Sequence, residues 1–242
     1  MVNLKKKILI ILAIIFAIIL IGATQVHATP NANGELTVNG KYLFGEGQTI
    51  ETVPGATYDK NTNTLTLNGY NGNTITAYYM NDFKINVVGE NTITTDLKVN
   101  SNGIYSVLGT LEITGTGTLN FKETNISDAT SLHPEEGAIT SQDTYIVIDG
   151  PTIKMQNLTG SGISARPGIE IKNANVDINV TGLNGIYTYN NSIEISDSKV
   201  NSTASKYAIT GDSVSIEGNS TITAKTVETT VPVLIAFSSL MA

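Results

Sequence analysis

The sequence predicts an all-β chain wound as a right-handed parallel β-helix, a three-sided solenoid of about 23 residues per coil with an N-terminal β cap. Three observations predict it. First, one pattern recurs: GIYSVLGTLEITGTGTLNF at 103–121, GISARPGIEIKNANVDINV at 162–180, GIYTYNNSIEISDSKVNST at 185–203 and AITGDSVSIEGNSTITA at 208–224. Second, apolar residues recur at fixed places in it. Third, apolar and polar residues alternate around those places, as in Ile193-Glu194-Ile195 and Val176-Asp177-Ile178, which buries one face of each strand and solvates the other.

Three ladders follow. The first is Ile75, Ile104, Ile139, Ile163, Ile186 and Ile209, with spacings of 29, 35, 24, 23 and 23. The second is Val87, Ile113, Ile148, Ile171, Ile195 and Ile216, and the third is Ile93, Leu119, Ile153, Val176, Val200 and Ile222. Three short strands per repeat make one turn of a three-sided parallel helix, in which like residues stack at about 4.8 Å. The right hand follows from the preference of parallel crossover connections. A sandwich or barrel would place hairpin turns between successive strands and keep no repeat-wide register. No G-G-x-G-x-D run marks a calcium-binding roll, and the ladders are isoleucine rather than leucine.

Taken in order, residues 1–28 read as a signal peptide: Lys5, Lys6 and Lys7, an apolar run at 8–22, and Val26-His27-Ala28 before Thr29-Pro30. The alternative is an uncleaved anchor, and the run is shorter than the roughly 20 residues a spanning helix needs. Removing it takes three lysines and changes the net charge from −7 to −10. Residues 29–73 are a linker and an N-terminal β cap. Within it Asn39-Gly40 is a hairpin turn between strands at 35–38 and 41–44, and 57–59 and 64–67 form a second hairpin. Such a cap covers the open edge of a first coil. Residues 74–224 carry the repeat. The step of 35 between Ile104 and Ile139 holds an insertion, KETNISDATSLHPEE at 122–136. Residues 225–242 are a C-terminal cap or tail, too short to span a bilayer. The asparagines at 91, 173, 190, 191 and 219 are expected to supply left-handed conformations at coil corners.

TYDKNTNTLTLNGYNG at 57–72, INVVGENTIT at 85–94 and LEITGTGTLNF at 111–121 resemble the repeats of secreted surface proteins of Gram-positive bacteria, β-helical and carbohydrate-binding-like or pectate-lyase-like. The resemblance covers about residues 57–224 and lies mainly in glycine turns and isoleucine ladders. It implies an extracellular, cell-surface protein that meets a polysaccharide, and it carries over no catalytic residue. The polygalacturonase pattern of NTD, Asp-Asp, Gly-His-Gly and Arg-Ile-Lys is absent, and beyond the leader the single histidine is His133, in the insertion.

The outward rows supply the candidate sites. On the first strand Tyr105, Tyr187 and Tyr189, with Tyr78 in an earlier coil, form an aromatic row suited to the flat C–H faces of sugars. Stacking for sheet stability accounts for the same row. Arg166, the only arginine, is expected on the same strand type and joins the glycan-binding set. On the second strand the outward row is Asn86, Glu112, Val147, Glu170, Glu194 and Ser215. Glu170 and Glu194, in adjacent coils about 5 Å apart, repel unless a calcium ion lies between them or Lys172 neutralises them. No motif implies a cofactor, and calcium at Glu170 and Glu194 is the one metal site the pattern admits.

No cysteine is present, so neither disulfide nor thiolate zinc enters. An acidic chain with one arginine argues against nucleic acid. The expected partner is an extracellular polysaccharide, a host or cell-wall glycan, with membrane contact only through an uncleaved leader. The function expected is a secreted, non-catalytic solenoid at the cell surface, adhesive or polysaccharide-binding. The alternatives are a lyase-like enzyme on acidic glycans, with Arg166, Lys172, Glu170 and Glu194 as its cluster, and a purely structural stalk.

Overall fold

The structure, a computed structural model, describes residues 33–96, 102–124, 137–189 and 191–227. The leader, His133 and Asn190, most of the insertion and most of the C-terminal tail lie outside the described residues. The chain is all-β with parallel stacked sheets, a β-solenoid of about 6 turns and about 24 residues per turn. It opens with β1 (Glu35–Val38), β2 (Lys41–Gly45), β3 (Ala56–Asp59), β4 (Thr64–Asn68) and the short β5 (Asn71–Gly72). Six coils of three strands follow. They are β6 (Ile75–Tyr78), β7 (Phe83–Val88), β8 (Glu90–Thr95); β9 (Ile104–Val107), β10 (Leu111–Gly115), β11 (Thr118–Glu123); and β12 (Gly137–Gln142), β13 (Ile146–Asp149), β14 (Thr152–Leu158). Next come β15 (Ser161–Ala165), β16 (Ile169–Lys172), β17 (Asn175–Val180); β18 (Asn184–Thr188), β19 (Ser192–Ser196), β20 (Lys199–Ala204); and β21 (Tyr207–Thr210), β22 (Ser213–Glu217), β23 (Thr221–Thr226).

Every third strand stacks on its like. The first sheet runs β2-β1-β6-β9-β12-β15-β18-β21, the second β22-β19-β16-β13-β10-β7-β4-β3 and the third β23-β20-β17-β14-β11-β8-β5. Asn39 (φ 55°) and Gly40 (φ 73°) both take left-handed conformations, the backbone a two-residue hairpin between β1 and β2 requires. β1 lies antiparallel on β6, and β3 antiparallel on β4. Parallel stacking begins at Thr64, because β4 pairs with β7.

The first ladder holds in register at every step from Ile75 to Ile209. The other two hold from their second member onward, and their first members differ by two residues. Ile113 is opposite Ile85, not Val87, and Leu119 is opposite Asn91, with Ile93 opposite Phe121. A two-residue shift keeps the same side chains inward, so apolar identity alone does not reveal it. Asn91 is buried in the core and satisfied there. It accepts from the Tyr70 N–H at 2.9 Å and donates to the Val88 carbonyl at 3.0 Å.

The glycines that open the repeats at 103, 162 and 185 sit where the third sheet turns into the first. A Cβ on Gly103 would come within 2.8 Å of the Phe121 ring, one on Gly162 within 2.9 Å of Ile178, and one on Gly185 within 1.9 Å of Ser202. These glycines make room for the second inward side chain of the third sheet. Of the asparagines assigned to corners, Asn173 (φ 51°) has the expected conformation, whereas Asn91 and Asn219 do not. The left-handed corners fall instead on Tyr79, Asp82, Leu108, Asp143, Asn157 and Asp197 and on glycines. At one of them the bond runs between coils: Asp197 Oδ1 accepts from the Asn219 N–H of the next coil's corner at 3.0 Å.

Candidate functional site

Burial leaves few large apolar side chains outside. Among the described residues eight are exposed, and five of them, Tyr78, Tyr79, Leu108, Tyr145 and Tyr189, lie on the outer face of the first sheet or at the corner leading into the second. That concentration selects the face as the candidate site.

Two outward columns run along this face. One is Thr76, Tyr105, Thr140, Ser164, Tyr187 and Thr210. The other begins Tyr78, Val107, Gln142 and, one step beyond the paired residues, continues through Arg166 and Tyr189. The Tyr189 N–H donates to the Ala165 carbonyl at 3.2 Å, which extends the ladder to this position. The structure therefore brings Tyr105, Tyr187, Tyr189 and Arg166 onto one face.

Their surroundings differ. Tyr105 meets the edge of Tyr78 with ring centroids 5.7 Å apart at 74°, and its hydroxyl donates to Gln142 Oε1 at 2.5 Å. Arg166 Nη1 lies 3.9 Å from Asp143 Oδ1, both side chains about half exposed. Tyr189 is 59% exposed and Tyr187 half-buried. Thr140 and Ser164, between Tyr105 and Tyr187 in their column, are buried, so the open strip follows the Tyr78–Tyr189 column. Thr140 Oγ1 donates to Asn102 Oδ1 at 2.8 Å, and the Gly137 N–H donates to the same oxygen at 3.0 Å.

The corner beside the strip is strained. Tyr79 (φ 53°) and Leu108 (φ 62°) sit next to one another in successive coils, both left-handed and both exposed. A bulky residue in that conformation costs on the order of 1 kcal/mol. The Tyr79 N–H, bonded to the Val107 carbonyl at 2.9 Å, fixes the backbone. Tyr145 lies at the same corner over Gly168, where a Cβ would come within 2.7 Å of its ring. Sequence reasoning missed Tyr79, Leu108, Tyr145, Gln142 and Asp143. The doubled Tyr78-Tyr79 just past a strand was the available signal.

The second sheet presents charge. Glu170 is in register with Glu194. Lys172 Nζ lies 3.1 Å from Glu170 and 3.9 Å from Asp149, so the lysine lies beside this carboxylate. The bond to Glu170 holds the Lys172 amine above its ordinary pKa. In the outward row Lys84 takes the place expected for Asn86, and it pairs with Glu112 at 2.9 Å. Arg166 belongs to the first-sheet face, and Glu170, Lys172 and Glu194 to the second. Among the described residues no group of three or more histidine, cysteine, aspartate or glutamate side chains is arranged to hold a metal.

Set against known proteins, the chain matches no protein-family model, no curated protein and no solved structure, and the resemblance to surface proteins reaches only as far as the β-solenoid architecture.

Proposed function

We propose that the protein is a secreted, non-catalytic solenoid at the cell surface that binds an extended polysaccharide along the outer face of its first sheet. The observation that carries this reading is the gathering of exposed aromatic side chains there, from Tyr78 and Tyr79 to Tyr189. Sugar rings stack their C–H faces on such side chains, while amides and hydroxyls such as Gln142 and Tyr105 bond hydroxyl groups. Tyr78 and Tyr189 stand four strands apart, about 19 Å at the sheet spacing, a length that suits the interior of a chain. The lysine-rich, apolar start of the sequence supports secretion. The separation of Arg166 from Glu170, Lys172 and Glu194 disfavours the lyase reading.

Affinity electrophoresis through gels containing a panel of neutral and acidic polysaccharides tests it. At least one polysaccharide retards the protein, and joint substitution Tyr78→Ala, Tyr105→Ala and Tyr189→Ala weakens retardation at least tenfold with the circular dichroism unchanged. Absence of retardation by every polysaccharide favours a stalk. Release of an unsaturated product from polygalacturonate, followed by ultraviolet absorbance, favours the enzyme.

A further inference from the structure

Beside the isoleucine ladder of the first sheet runs a second inward column, of smaller residues. It is Ala77, Ser106, Ser141, Ala165 and Thr188, in register from β6 to β18. All five are buried. Its three hydroxyls fare differently. Thr188 Oγ1 donates to the Asn191 carbonyl at 2.8 Å, across the corner that leads to β19. The Oγ atoms of Ser106 and Ser141 have no hydrogen-bond partner among the described residues. Ser106 is 0% exposed and Ser141 1%, so bulk solvent does not reach them. A buried hydroxyl without a partner is destabilising, and native interiors rarely keep one, still less two side by side.

We infer that Ser106 and Ser141 together hold one buried water, which bridges β9 to β12 inside the core. The register sets the span. Residues directly opposite one another in adjacent parallel strands lie about 4.8 Å apart. That is too far for a direct bond between hydroxyls, which needs about 2.5–3.0 Å. Two such bonds meeting at a water cover it. The chemistry selects the ligand as well. Each serine hydroxyl both donates and accepts, which suits a small neutral molecule that does the same, and the column carries no charged side chain to hold an ion. A buried water takes two to four polar partners, and the serine pair supplies two of them. Ala77 and Ala165, the next residues of the column on either side, bring no polar side-chain atom, so the water stays between the serines.

The bridge lies directly behind the candidate face. Tyr105 and Gln142, the outward neighbours of the two serines in sequence, join the same two strands from outside through their bond at 2.5 Å. β9 and β12 are thus tied on both faces, once by a side-chain pair and once by a water.

A crystal structure of the full chain tests this directly. The expected result is an ordered oxygen within hydrogen-bond distance of both Oγ atoms. A dry contact there overturns the inference, as do serine hydroxyls bonded to each other or to a backbone carbonyl. Urea unfolding of Ser106→Ala, Ser141→Ala and the double variant tests it in solution. Each single substitution is expected to lower the urea midpoint, because it strips the water of one partner and orphans the remaining hydroxyl. The double variant is expected to unfold at a higher midpoint than either single variant, since no orphan remains. Were the serines dry and independent, each substitution would raise the midpoint and the two effects would add. That result overturns the bridge whatever the crystal shows.

Discussion

The side-chain oxygen of Asn91 accepts a hydrogen bond from the backbone N–H of Tyr70 at 2.9 Å inside the core. β5 is only two residues long, so Tyr70 precedes the ladder and its donor has no strand partner on that side. Its carbonyl is taken by the Thr92 N–H at 2.7 Å. One amide side chain thus completes the first turn of the third sheet, at a position that its later members fill with Leu119, Ile153 and Val176. Asn91→Leu, which restores the apolar ladder, is expected to lower stability by about 1–3 kcal/mol, because it leaves the Tyr70 donor buried and unpaired. Urea unfolding monitored by circular dichroism measures this. A variant as stable as the parent would show that the donor finds another partner.

Gly185 is confined by atoms that cannot all move. Its Cβ would fall 1.9 Å from Ser202 Oγ and 2.4 Å from the Ala208 carbonyl oxygen. Ser202 is itself held by a bond to that carbonyl at 2.6 Å. Gly185→Ala is expected to cost roughly 2–3 kcal/mol by overpacking. Adding Ser202→Ala recovers only part of the loss, since the carbonyl contact remains. Full recovery in the double variant would place the whole clash on the serine.

Tyr79 and Leu108 link strain to binding. Asparagine tolerates the left-handed conformation better than tyrosine or leucine. Tyr79→Asn and Leu108→Asn together are expected to raise stability by about 1 kcal/mol while weakening polysaccharide retardation. Melting temperature and affinity electrophoresis on the same preparation separate the two effects. A fall in melting temperature would mean that the two side chains pack rather than project.

Lys172 lies between Glu170 and Asp149 on the second sheet, with Glu194 one coil further on. Its side chain is one-third exposed, so the pairing is screened. Lys172→Met is expected to lower stability by about 0.5–1 kcal/mol at low salt. At about 1 M salt, where screening is nearly complete, the difference is expected to shrink. A difference independent of salt would assign the effect to packing of the lysine stem.

Tyr70 is 1% exposed, its hydroxyl donates to the Asn73 carbonyl at 2.9 Å, and burial pushes its pKa up to about 12. Burial raises Tyr58 as well, with the Asp59 carboxylate adding to it. In the unfolded chain tyrosine ionises near pH 10. The stability tied to the neutral phenols is therefore complete below about pH 10 and is lost as pH rises towards 12. Melting temperature is expected to fall across that window, and Tyr70→Phe to flatten the fall. An unchanged slope in the variant would move the effect to other groups, Lys172 among them, whose raised pKa lowers stability in the same direction.

The sequence by itself determined the solenoid. Isoleucines spaced by 23 and 24 residues, with period-two alternation around them, admit one stacking, and the first ladder follows it at every step. It also marked the Asn39-Gly40 turn, because few residue pairs adopt two left-handed conformations in succession. Tyr105, Tyr187 and Tyr189 were legible as outward residues for the same reason, period two. What only the tertiary structure decided is the register of the first coil, where Ile85 and Asn91 rather than Val87 and Ile93 stand opposite Ile113 and Leu119. A shift of two leaves every side chain on its own face, so the pattern is blind to it, and the choice rests on backbone donors such as that of Tyr70. Tertiary structure likewise decided that Tyr79 and Leu108 project from a corner, and that the strip follows Tyr78 to Tyr189 past the buried Thr140 and Ser164. Corner conformation and the cover over an outward residue depend on neighbouring coils, which no periodicity along a single chain encodes.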